Sequence, residues 1–285
     1  MSRPPTFVPP PGAMPRRLRT DRGDFAVIDA SAGMDPPKGT VLLLPGYTGS
    51  KEDFIALHAP LAAAGYRSVA VDGRGQYESD GPATDEAPYA MDELARDVLA
   101  QVAAVGAPVH LVGHSLGGLV ARAAVLRDPA PFRSLTLVSC GPGRISVAQQ
   151  QRVQLLRDTL AVHSMAEVWE IMRSLEPPEE TDTDGSADQA DVLRRRWLGT
   201  QPAQLIATGR HLCNEPDRTD ELAALRLPTH VLSGERDDTW PVPDMDTVAR
   251  RIGAHRTVVQ GAEHSPNTDR PKETAAALTA FWDRH

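Results

Sequence analysis

The chain has 285 residues, 41% of them hydrophobic and 24% charged, with a formal net charge of −8; this is the composition of a globular protein with room for one large α/β domain or two small ones. The negative balance argues against a general binder of nucleic acid or anionic membranes, and no apolar run reaches transmembrane length. The two cysteines, Cys140 and Cys213, fit reduced thiols in a cytoplasmic protein and have no metal-ligand spacing.

Residues 1–15 are rich in proline (Pro4, Pro5, Pro9, Pro10, Pro11, Pro15), which predicts an extended, disordered tail. Met14 is an alternative start to Met1, and the arginines before Thr20 accompany no apolar stretch, so no secretory signal is expected. Arg16–Thr20 and Phe25–Ala30 flank the turn signal Asp21-Arg22-Gly23-Asp24, the pattern of a β-hairpin. Thr40–Leu44 is a buried strand ending at Pro45-Gly46, and Glu52–Ala64 a helix closed by Gly65. Arg67–Val71 is the next strand. Met91–Val105 is an amphipathic helix, with Met91, Leu94, Ala95, Val98, Leu99 and Val102 on one face. Strand Val109–Val112, a helix to about Arg127 and strand Ser134–Ser139 follow. This alternation predicts an α/β fold: a doubly wound, mainly parallel sheet with helices on both faces.

Residues 141–211 break the rhythm. Val147–Leu160, Met165–Leu175, Ala187–Leu198 and Pro202–Leu212 read as helices, with an acidic loop over Glu176–Gly185. This block is expected to be a helical insertion in a core made of residues 16–140 and 212–285. Its place after a parallel strand favours a lid over the site, rather than a packed ornament, because loops at carboxyl strand ends surround the site in such sheets. The rhythm resumes with strand Thr229–Ser233, helix Asp244–Ile252, strand His255–Gln260 and helix Lys272–Trp282.

The chemistry gathers around Val112-Gly113-His114-Ser115-Leu116-Gly117-Gly118. A G-x-S-x-G between strand and helix lifts the serine hydroxyl onto a sharp turn at a helix start, where free N–H groups favour an oxyanion. A serine needs a base, and the base needs an orienting acid. Of nine histidines, His264 is the best base, because it lies in a loop at the carboxyl end of a strand. His114 adjoins the serine, but the elbow should point it away from the hydroxyl. Asp237, in the loop after Thr229–Ser233, is the preferred acid, with Glu235 and Asp238 as rivals. The loop after Ser139 carries no carboxylate. Two donors are needed for a tetrahedral oxyanion: the Leu116 N–H, and one from Pro45–Gly49, where Tyr47 N–H is the natural choice because Pro45 has none.

Leu44-Pro-Gly-Tyr-Thr-Gly49, Asp72-Gly-Arg-Gly-Gln-Tyr-Glu-Ser79, Gly113–Gly118, Gly234-Glu-Arg-Asp237 and Gly261-Ala-Glu-His264 together resemble the successive motifs of the α/β-hydrolase superfamily, over about residues 25–285. Two positions depart from the pattern: Pro45-Gly46 replaces a frequent His-Gly, and Gln76-Tyr77 replaces a commoner His-Gly. The resemblance implies hydrolysis of a small-molecule carboxylic ester through an acyl-enzyme, with Ser115 as nucleophile, His264 as base, Asp237 orienting it, and Tyr47 and Leu116 holding the oxyanion. It implies no metal or organic cofactor and no nucleic-acid partner, and is compatible with a homo-oligomer. Serine at the elbow argues against the dehalogenase and epoxide-hydrolase branches. Met165, Val168, Trp169, Met172 and Trp197 are candidates for an apolar acyl pocket, against the plainer reading that apolar residues at helical spacing are core. Trp240 is a further candidate. The same triad serves carbon–carbon bond, lactone and peroxyacid hydrolases. A catalytically silent binding protein is the reading from another class, and the intact trio counts against it.

Overall fold

The computed structural model describes residues 3–175 and 187–285, and the expected loop Glu176–Gly185 lies outside the described residues. Strands β1 (Ala13–Thr20) and β2 (Gly23–Ala30) form an antiparallel hairpin, and β2 runs antiparallel to β4 (Tyr66–Val71). The remaining strands are parallel: β3 (Gly39–Leu44), β5 (Val109–His114), β6 (Phe132–Val138), β7 (Thr229–Gly234) and β8 (His255–Val259). Among the described residues these make one eight-stranded sheet in the order β1-β2-β4-β3-β5-β6-β7-β8.

The alternation of side chains along each strand divides the core into two faces. Leu42, Leu44, Val69, Val71, Leu111, Leu135, Leu137 and Val231 pack against α2 (Met91–Val105), α3 (Leu116–Arg127) and, later in the chain, α9 (Val242–Ile252). Val41, Leu43, Ala70, Val112, Val138, Leu232 and Val259 pack against α1 (Ile55–Ala63) and the closing helix α11 (Pro271–Trp282). Both faces are covered, so the inner strands are buried on both sides and mainly apolar, with buried polar residues such as His110, Ser134 and His230 among them. The hairpin begins at Ala13, opposite Ala30, which carries β1 three residues beyond the expected Arg16 and gives the buried end of β2 an edge partner. Upstream, Arg3–Gly12 contains no helix, yet Pro4 is buried and Phe7 packs against an apolar cluster of the insertion. The expected helix Glu52–Ala64 is broken: a 3-10 turn, Lys51–Phe54, precedes α1, where Ser50 and Asp53 close a reciprocal capping box.

The insertion follows β6 as α4 (Val147–Leu160), α5 (Met165–Leu175), α6 (Ala187–Gly199) and α7 (Pro202–Asn214). Leu160, Val168, Trp169, Leu193, Trp197 and Leu205 give it a small apolar core of its own. Its two ends are drawn together where Ile145 N–H donates to the Leu212 carbonyl (3.0 Å). Arg122 of α3, fully buried, donates to the carbonyl of Pro142 on the way in and to Glu215 Oε1 (3.1 Å) on the way out. Two short helices, α8 (Thr219–Ala224) and α10 (Pro266–Asp269), are too brief to leave a periodic signature in sequence.

Candidate active site

Parallel register sets the stage. Leu44 pairs with Gly113, His114 with Val138, Val138 with Leu232, and Gly234 with Val259. The loops after β3, β5, β7 and β8 therefore leave one edge of the sheet side by side, as expected for the carboxyl ends of an open α/β sheet.

At that edge the chain turns from β5 into α3 through Ser115, whose φ of 55° and ψ of −119° lie in the left-handed half of backbone space. A non-glycine residue pays of order 1–3 kcal/mol to sit there. The turn holds because Ser115 N–H donates to the Val138 carbonyl (2.9 Å) and because the residues two positions to either side, Gly113 and Gly117, have no side chains. A Cβ on Gly113 would strike the Gly117 carbonyl, and one on Gly117 would strike the Leu44 carbonyl.

Ser115 Oγ lies 3.1 Å from His264 Nε2. On the other side of the ring, Nδ1 is 2.9 Å and 3.0 Å from the two oxygens of Asp237. A carboxylate only accepts, so Nδ1 carries the proton, and the Nε2 lone pair is left to accept from the serine hydroxyl. The Asp237 side chain is 0% exposed. Its Oδ1 also accepts from the N–H groups of Thr239 (2.8 Å) and Trp240 (3.1 Å), which fix its rotation. The rivals are occupied elsewhere: Glu235 accepts from Gly261 N–H (3.0 Å), and Asp238, exposed, accepts from Gln149 and Arg152 of α4.

The Nε2 of His114 is bonded to the loop of the base and not to the serine hydroxyl. His114 thereby holds the base, with its Nε2 2.8 Å from the His264 carbonyl. Burial, and then the neighbouring His264, push the His114 imidazole down to about 4, so it donates as the neutral ring. This contact is long-range and leaves no trace in the motif.

The loop Pro45–Gly49 lies against the elbow. Gly46 packs so closely that an added Cβ would be 3.3 Å from both Ser115 Cβ and His114 Nδ1. Tyr47 follows it, and Leu116 opens α3, so their backbone N–H groups belong to the two segments flanking Ser115. The Tyr47 phenol donates to the Leu205 carbonyl of α7 (2.7 Å), and burial pushes its ionisation upward. The departures at Gln76-Tyr77 have a local explanation. Gln76 is a buried staple: its amide donates to the Gly46 carbonyl and accepts from Gly73 N–H, both at 2.9 Å. Tyr77 has a φ of 40°, which accounts for glycine being commoner there.

Of the pocket candidates, Trp169 is buried and Met172 half-buried in the insertion's apolar cluster, which Tyr47 touches from the core side. Met165, Val168 and Trp197 belong to the same cluster. Trp240 is a brace: its indole N–H donates to the Gly143 (2.9 Å) and Arg144 (3.1 Å) carbonyls, and its ring centre is 6.4 Å from that of His264. A cavity of about 360 Å³ opens beside Asp237 and His264, lined also by Arg236, Asp238 and Glu263. Among the described residues no group of three or more His, Cys, Asp or Glu side chains is arranged to hold a metal ion.

An open, mostly parallel sheet with a serine at a strained strand-to-helix turn defines the class of fold. The model of the alpha/beta hydrolase family matches residues 41–277, and the chain belongs to that family. It is 30% identical over 228 residues to the pimeloyl-[acyl-carrier protein] methyl ester esterase of Aeromonas hydrophila, covering 78% of this chain and 87% of that one. It is 24% identical to lipase 3 of a Moraxella species, covering 85% and 77%. Among solved structures, a thermophilic esterase from Thermogutta terrifontis superposes with a TM-score of 0.75 at 22% identity, covering 95% of this chain and 99% of that one.

Proposed function

We propose that this protein is a serine hydrolase that cleaves a carboxylic ester through an acyl-enzyme. The observation that carries the reading is the unbroken chain from Asp237 through His264 to the Ser115 hydroxyl, with heavy-atom separations of 2.9 and 3.1 Å. Ser115 Oγ attacks the ester carbonyl while His264 Nε2 takes its proton, and Asp237 stabilises the imidazolium. The oxyanion is received by the backbone N–H groups of Tyr47 and Leu116, the kind of aimed donor worth about 3–4 kcal/mol in the transition state. His264 returns its proton to the departing alkoxide. Water then repeats the sequence on the acyl-serine and releases the acid.

Esterase and lipase relatives support the ester as the bond cleaved. The insertion, joined to the Pro45–Gly49 loop through Tyr47 and Leu205, is assigned the role of a roof over the acyl group. The free thiols Cys140 and Cys213 agree with a reducing compartment.

A panel of 4-nitrophenyl esters of increasing acyl length tests the reading. Wild type should turn over at least one member, and Ser115→Ala should lower kcat by about 10⁴ or more while retaining the thermal transition. Absence of Ser115-dependent turnover across the panel would reject ester hydrolysis.

A further inference from the structure

The segment that follows the proposed oxyanion loop is electrically incomplete without the insertion. In and around the turn Lys51–Phe54 the core supplies the carboxylates Glu52, Asp53, Asp72 and Glu78, and Lys51 is committed to Glu52, Asp72 and Glu78 at 2.7–2.9 Å. Asp53 is left over. Its side chain is 0% exposed, and among the described residues its one cationic partner is Arg196 of α6, at 2.8 Å. Arg196 is itself 1% exposed at the side chain and reaches the Ser50 hydroxyl as well (3.4 Å). A buried carboxylate without a counter-charge is destabilising by several kcal/mol, so this pair is far from a decorative surface contact.

Asp53 stands between three parts of the site. Its Oδ2 accepts from Ser50 N–H (3.3 Å) and lies against the backbone of Gly49, where an added Cβ would overlap it. Its carbonyl accepts from Asn267 Nδ2 (2.8 Å), three residues past His264 and buried. Its Oδ1 takes the guanidinium brought by the insertion. One residue thus touches the end of the Pro45–Gly49 loop, the segment that carries the base, and the insertion.

We propose that Arg196 is a positioning residue for the oxyanion loop. By bridging the Asp53 carboxylate and the Ser50 hydroxyl from the insertion it locks Gly49–Phe54 in place, and with it the Tyr47 N–H opposite Ser115, so that docking of α6 completes the machinery of the core. The inference rests on the reading of Tyr47 as an oxyanion donor. The sequence holds no hint of it, because Arg196 is one of three consecutive arginines, Arg194-Arg195-Arg196, on a helix far from the motifs.

The test compares wild type with Arg196→Met, Arg196→Lys and the double variant Asp53→Asn/Arg196→Met. Ester kinetics, thermal melting and hydrogen exchange of the peptide spanning residues 45–54 are the readouts. Arg196→Met should lower kcat by about tenfold or more, a fraction of the loss expected for deleting a donor outright, with KM moved less than about threefold. Exchange in 45–54 should quicken. Arg196→Lys should restore most of kcat. The double variant, which removes the buried charge, should recover melting temperature yet keep the low kcat and fast exchange. The proposal is overturned if kcat recovers together with stability in the double variant, or if exchange in 45–54 is unchanged by Arg196→Met. Should wild type hydrolyse no ester, the functional reading fails, and the exchange measurement alone still decides whether Arg196 orders the loop.

Discussion

The sheet core and the helical insertion are held in place by different means. In the core, the ends of β3, β5, β6, β7 and β8 are aligned by backbone ladders, and the residues of all but the edge strand β8 are mostly buried. The loops carrying Ser115, Asp237 and His264 inherit their positions from that register. The insertion has no strand among the described residues. Full burial in α4 is confined to Val153 and Leu160, while Val147 and Leu155 stay exposed. It is fastened at separate points: by the side-chain bonds of Arg122 to Glu215, Tyr47 to Leu205, Trp240 to Gly143 and Arg196 to Asp53, and by single backbone bonds such as Ser146 N–H to the Thr239 carbonyl and Gln201 N–H to the Gly75 carbonyl, both at 2.8 Å. A ladder spreads its energy over many bonds, whereas a side-chain fastening concentrates it in one. The core therefore governs which atoms meet, and under the proposed role of Arg196 the insertion governs how well they are held.

The sharpest way to break that division is Asp237→Asn. Thr239 and Trp240 N–H groups should pin the amide oxygen in the place of Oδ1, turning the NH₂ toward His264 Nδ1 and imposing the wrong tautomer. Steady-state kinetics should show kcat/KM down by about 10⁴ with the fold intact. A loss of less than tenfold would mean that the core's register does not set the chemistry.

A second probe separates the regions by acid. Burial, ahead of neighbouring charges, pushes His58 and His110 down to about 4 and His230 to about 3, and all three belong to core strands or to α1. In the unfolded chain each returns to about 6.5. Between those values the unfolded state binds protons that the folded state refuses, so stability is complete above about pH 6.5 and falls as pH drops toward 4. Thermal melts from pH 7.5 to 4.5 should show a falling midpoint, with about 1.4 kcal/mol lost per histidine per pH unit at most. A flat midpoint would contradict neutral burial of these rings.

The smallest expected effect is that of Tyr47→Phe. It removes one fastening, the bond to Leu205, but leaves the backbone N–H that is the proposed donor. Denaturation should report a loss of about 1 kcal/mol, and kcat should stay within about threefold of wild type. A kcat loss as large as that of an oxyanion-hole deletion would show that the phenol takes part in holding the loop for catalysis.

Most of the fold was legible because its signals are local. The run Val41–Leu44 is apolar throughout and Leu135–Val138 nearly so, since both faces of the sheet are covered, and Met91–Val102 displays its buried face at helical spacing. What escaped was short or nonperiodic: the 3-10 turn before α1, the four-residue α10, and the start of β1 at Ala13, which pairing with Ala30 decides. At the site, glycine spacing around Ser115 and the strand-end positions of Asp237 and His264 could be read from neighbouring residues. The preference for Asp237 over Glu235 and Asp238 at the ring of His264 is decided by which carboxylate is buried and capped by N–H groups.

By itself the sequence determined the strand–helix order, the strained turn at Ser115 and the chain order of serine, aspartate and histidine, because these depend on backbone preferences over a few residues. Only the tertiary structure decided that Gln76 staples the Gly46 carbonyl, that His114 holds the His264 carbonyl, and that Arg196 answers the charge of Asp53. Each of those pairs joins residues 30 to 150 positions apart. At such separations neither periodicity nor turn chemistry links the partners. Burial does, because it leaves a polar group no water to bond and makes the one partner within reach decisive.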